Sequence, residues 1–223
     1  MRAEGAVALR RSYARIAVAL LAALTVGAVL IVLSSAMDVE GEVFTREPQA
    51  LGGLAWYAGF LSTLGVLIWI AGASAVVALA LNSHSPRDRP AFMAAAAIAV
   101  AMALDDIYLL HDAVYPLPES VVQLAYFVAI SAIVVTHRRV LRGSAVIGTV
   151  CAVGLWMASA ATDVLFNSSA INFDQLTEDT LKFGGIVVWT VGWVSAAVTS
   201  GRGLVGPANA PHLPGNRYED AVR

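Results

Sequence analysis

Apolar positions in this chain come in long runs rather than alternating. Six stretches, residues 16–36, 54–81, 91–112, 120–136, 145–165 and 179–199, are almost continuously apolar. A helix rises about 1.5 Å per residue, so runs of about 18–20 apolar residues cross a hydrocarbon core of about 30 Å. Transmembrane barrels need short segments of alternating polarity, and these runs are too long and too uniform for that. The pattern predicts an all-α integral membrane protein, a six-transmembrane-helix bundle. Residues 1–200 then form a single transmembrane domain with no room for a second. The stretch 201–223, rich in Gly, Pro, Asn and charge, reads as a disordered cytoplasmic tail.

The polar positions mark the turns. The stretch 37–53, "MDVEGEVFTREPQALGG", is the longest connection and is acidic. Trp56 and Tyr57 follow it, where an interfacial aromatic belt belongs. Pro90 suits the first turn of the third helix, and Thr177 is placed to cap the sixth. The first apolar run exceeds the 7–15 residues of a signal-peptide core, so "SSA" at 34–36 reads as part of a retained span.

Composition sharpens this picture. The chain is 58% hydrophobic and 13% charged, against about half and about a quarter in soluble domains. Its net charge of −2 hides an asymmetry. If the six spans alternate from a cytoplasmic N-terminus, every Lys and Arg except Arg46 and Lys182 lies inside. Only Glu4, Asp88, Glu219 and Asp220 among the acids join them. Lys and Arg bias sets orientation, which gives N-in and C-in. The basic loops are thereby explained without nucleic acid. Arginine used almost to the exclusion of lysine, with abundant alanine, points to a GC-rich bacterium and its cytoplasmic (inner) membrane. In that setting "NSS" at 167–169 is a chance match to the glycosylation pattern. Cys151 is the only cysteine, so there is no internal disulfide and no thiol relay.

Against this background the stretch "ALDDIYLLHDAVYP", 103–116, stands out. Asp105, Asp106, His111 and Asp112 end an apolar run. Asp105 lies about 22 Å up the third helix from Pro90, within the outer third of the hydrocarbon. Asp163 falls near the outer end of the fifth span, and Glu178, Asp179 and Lys182 near that end of the sixth. At 100° per residue, Glu178, Lys182, Gly185, Trp189 and Gly192 share a stripe, as do Ala152, Trp156, Ser159, Ala160 and Asp163. Small and polar residues in a membrane face the bundle. Tyr108 and Gln123 are candidate outer donors. Trp189 and Trp193 read as packing.

One lysine and one histidine do not neutralise so many acids, and the remainder must be protonated, hydrated or bound to a cation. An oxygen-rich set with one imidazole suits a divalent metal, Mg, Mn, Ca or Fe, better than zinc. The candidate ligands are Asp105, Asp106, His111, Asp112, Asp163, Glu178 and Asp179. His111, Asp106 and Lys182 are the candidates for proton transfer and catalysis. With only one histidine in a span, a bis-histidine haem is excluded.

"LDDIYLLHD" together with "EDTLKFGGIVVW" resembles a family of small polytopic bacterial membrane proteins, in which an acid pair followed by Leu-His-acid recurs with an acid-acid-x2-Lys-x2-Gly element. The resemblance covers two helices and implies a site, not a reaction. A more distant resemblance is to the ceramidase-like membrane hydrolases, which hold zinc with three histidines and an aspartate near one membrane face. This chain lacks two of those histidines.

Three functions remain open on the sequence. One is a metal-dependent membrane enzyme acting on a lipid or other amphiphile at the outer leaflet. Another is a cation or proton transporter, although transporter sites sit nearer the midplane, on broken helices. The third is a structural or accessory subunit whose ionic cluster locks the bundle. No G-x-S-x-G nucleophile motif occurs.

Overall fold

The computed structural model describes residues 2–37, 41–44, 59–83, 86–108, 119–138, 143–166 and 173–202. These form six α-helices: α1 Arg2–Met37, α2 Phe60–Asn82, α3 Arg89–Tyr108, α4 Glu119–Thr136, α5 Ser144–Phe166 and α6 Phe173–Arg202. A single 3-10 turn, Gly41–Phe44, follows α1, and the described residues contain no strand. Five stretches are long and apolar enough to cross a membrane: Arg10–Met37, Phe60–Asn82, Arg89–Tyr108, Ser144–Thr162 and Leu176–Ser200. The apolar part of α4, Val121–Thr136, is shorter. Val18, Leu21, Val32, Leu67, Leu124, Val128 and Val135 all point outward and are exposed. An apolar surface that extensive is suited to lipid and not to water. The chain is a multi-pass membrane protein.

Helix direction alternates along the chain. Leu20 and Gly27 of α1 face Gly184 and Thr180 of α6, so the two run antiparallel. Gly65 and Gly72 of α2 face Ile186 and Thr190, in parallel register. At the start of α3, Ser200 Oγ donates to Asp88 Oδ2 at 2.6 Å, which joins the beginning of α3 to the end of α6. Along α5, Gly148 meets Gly192 while Ser159 meets Glu178, again antiparallel.

α6 is the central helix. It packs on α1, α2 and α5, and 56% of its most apolar window is buried, against 22–33% for the other spans. Small residues let it be approached closely: a Cβ on Gly148 would lie 2.8 Å from the Gly192 Cα. An aromatic column holds the middle of the bundle. Trp69 of α2, Trp156 of α5 and Trp189 of α6 have ring centroids 5.8–6.2 Å apart, Trp193 stacks 5.5 Å from Trp189, and Phe92 of α3 meets Trp193 edge-on. Such offset and edge arrangements suit the aromatic quadrupole. Trp189 and Trp193 are both buried, as a packing role requires.

Several expected boundaries shift. α1 starts at Arg2, ahead of the apolar run at 16–36, because Ala and Arg are good helix formers and carry the helix past the apolar run. α6 begins at Phe173, so Thr177 lies inside the helix and is not its cap. Within the acidic 37–53 connection the described residues are Met37 and the 3-10 turn Gly41–Phe44. Phe44 is buried among Ala23, Leu30, Leu61, Leu176 and Phe183, and Gly59 N donates to Val43 O at 2.9 Å. Pro90 does sit in the first turn of α3, where its missing N–H costs nothing. At this end Arg89 donates to the carbonyls of Leu81 and Ser83, 3.2 and 3.0 Å away, and satisfies the end of α2. Trp56, Tyr57, residues 167–169 and the tail from 203 lie outside the described residues.

Candidate functional site

The alternation brings the start of α2, the end of α3, the start of α4, the end of α5 and the start of α6 to one end of the bundle. They enclose a cavity of about 210 Å³. Its polar wall is formed by Asp105 and Asp106 from α3, Gln123 and Tyr126 from α4, and Asp179 and Lys182 from α6. Below, Trp69 and Trp156 close it with Phe127, Ile130, Phe183 and Ile186. The Trp column thus forms both the core of the bundle and the floor of the cavity.

Side-chain contacts hold this geometry. Trp156 Nε1 donates to the Lys182 carbonyl at 3.2 Å, and Ser159 Oγ donates to the Glu178 carbonyl at 3.1 Å. Both bonds tie α5 to the first turns of α6, at the level of the acids. Lys182 Nζ lies 2.7 Å from Glu178 Oε1, one turn back on the same helix. The Tyr126 hydroxyl is hydrogen-bonded to Asp105 and also lies 3.4 Å from the Ala101 carbonyl, which links α4 to α3. Among the described residues α4 packs chiefly against α3, and its Ile130 and Ile133 join the main hydrophobic core. On its cavity side it still contributes Val122, Gln123, Tyr126, Phe127 and Ile130 to the wall.

Of the residues predicted as a site, Asp105, Asp106, Asp179 and Lys182 line this one cavity, and Glu178 adjoins it through Lys182. Asp163 lies on α5 within its last turn, but its side chain is outside the described residues, as are His111 and Asp112 altogether. Gln123 lines the cavity as expected of an outer donor. Tyr108 does not: it is 63% exposed and turned away. Its position is about 60° round the helix from Asp105, which is enough to move it off the inner face. Tyr126 of the neighbouring helix serves Asp105 instead. Neither Tyr126 nor Trp69 stood out in the sequence, because an aromatic inside an apolar run carries no mark of which way it faces. Among the described residues, no group of three or more His, Cys, Asp and Glu is disposed to hold a metal ion.

The family model described as a domain of unknown function (DUF8692) matches residues 15–196, and the chain belongs to that family. No curated protein and no solved structure matches it.

Proposed function

We propose that this member of the family is a six-span protein of the bacterial inner membrane, N-in and C-in, whose outward-facing cavity binds an amphiphile. The observation that carries this reading is the division of the cavity. It has carboxylates, a lysine and a tyrosine at the end of the bundle, and tryptophan, phenylalanine and isoleucine below them. A ligand with a polar head and an apolar body matches both halves. The position of α4 along the cavity, with Val122, Tyr126 and Ile130 in the lining and Leu124 and Val128 exposed on its outer side, supports access from the lipid along that helix. The arginine-rich connections support the orientation.

A metal-dependent reaction would need ligands from His111, Asp112 or Asp163 in addition to the cavity acids. Metal analysis of protein purified without chelator, wild type against Asp105→Asn, decides whether a divalent ion belongs to the site.

The binding reading is tested by native mass spectrometry of the protein released from its own membranes. Ala160 lines the cavity, and Ala160→Phe fills it. The expected result is a retained amphiphile on the wild type that is lost from Ala160→Phe at matched folded content. Equal occupancy in both, or none in the wild type, removes the proposal.

A further inference from the structure

We infer that the cavity selects a cationic head, an amine or a quaternary ammonium, on the amphiphile it binds; this rests on the amphiphile reading above and narrows it. Two independent features of the lining point the same way. One is charge: Asp105, Asp106 and Asp179 line the cavity with Lys182 as its one lysine, and Lys182 already has Glu178 at 2.7 Å. Among the described residues, the lining together with Glu178 carries four carboxyl groups and one ammonium, and an anionic head would meet the excess of like charge. The other is the aromatic lining, since Trp69, Trp156, Tyr126 and Phe127 border the same space. Aromatic faces attract cations through the ring quadrupole, most strongly where water is excluded, and such cages recognise quaternary ammonium groups.

A bare ionic lock between helices would be close-packed, whereas here about 210 Å³ stands between the acids and the rings. An apolar cavity of about 150 Å³ accepts benzene. The space is therefore right for an alkylammonium head and its first methylenes, with the rest of the chain lying along α4. A small hard cation fits this lining less well. It takes oxygen ligands alone, so it would use the carboxylates and leave the ring half of the lining without a role. A trimethylammonium group sheds its water easily and makes use of both the carboxylates and the ring faces.

The test uses the full chain in maltoside micelles and three probes of equal tail: dodecyltrimethylammonium, dodecyl sulfate and dodecyl octaethylene glycol. Binding is read from the fluorescence of the tryptophans on the cavity floor, with Ala160→Phe as background. The expected result is affinity for the ammonium probe about tenfold or more above the neutral one, a difference of about 1.4 kcal/mol. In the double variant Asp105→Asn, Asp106→Asn that ratio should fall towards one. Equal binding of all three probes overturns head selection while the amphiphile reading stands. Tightest binding of the sulfate overturns it too and makes Lys182 the anchor. If no probe binds above the Ala160→Phe background, both readings fall together. Should the double variant not fold, the wild-type ratio alone still decides.

Discussion

Lys182 shows how far a single residue's energetics depend on its surroundings. In the sequence it is the one lysine of the candidate site, set among acids, and breaking a buried pair of that kind costs about 3–5 kcal/mol. In the structure its side chain is 45% exposed and Glu178, its partner, 16% exposed, within one helix. An i,i+4 pair that is partly exposed contributes about 0.3–0.5 kcal/mol where water reaches it. We therefore expect Lys182→Met to lower stability by less than about 1 kcal/mol, as followed by thermal unfolding in detergent. A loss of several kcal/mol would mean that the lysine is enclosed with the acids when the bundle sits in lipid. The acids themselves were legible in the sequence because ionisable groups are anomalous in apolar runs. Trp69, Phe44 and Tyr126 were not, because a buried aromatic and a lipid-facing one look alike in one dimension.

At the scale of elements, the contact between α5 and α6 does most to position the cavity. It places Trp156 and Ser159 against the carbonyls of Lys182 and Glu178. That approach depends on Gly148 and Gly192: a Cβ on Gly192 would lie 2.9 Å from the Ser144 carbonyl oxygen and 2.8 Å from the Gly148 Cα. Both obstacles are backbone and cannot rotate aside. Gly192→Ala should therefore destabilise the protein by about 1–3 kcal/mol, the usual range for overpacking. Gly154, on the same α5, has nothing within 4 Å of its would-be Cβ. Gly154→Ala should be neutral or stabilising by up to about 1 kcal/mol, because alanine is the better helix former. Chemical or thermal unfolding of the two variants side by side checks the contrast. Equal effects would place the helices farther apart than described.

For the whole molecule, the six-span arrangement we propose puts both ends on one side of the membrane. The arginine distribution supports the cytoplasm as that side in the proposal. Reporter fusions at residues 45 and 210 should read outside and inside respectively. A cytoplasmic signal at 45 would turn the cavity to the inner face, and the outer-leaflet reading would go with it.

The apolar runs by themselves determined that this is a helical membrane protein, and roughly where its helices lie. Lipid demands about 20 apolar residues per crossing and an internally satisfied backbone, and both demands are local. Helical periodicity also placed Ser159, Trp156, Gly185 and Gly192 on inward faces, since those stripes need only the 100° step. Local rules did not reach Tyr108, whose phase lies at the margin of the inner face, or the start of α6, where helix propensity outlasts hydrophobicity. Only tertiary structure decided that Asp105, Asp106, Asp179 and Lys182 border a space rather than filling one. It also decided that the space has an aromatic floor and that α4 forms one of its walls. A cavity is what remains when several helices, each well packed elsewhere, fail to meet. That depends on the side-chain volumes of five segments at once, which no single stretch of sequence carries.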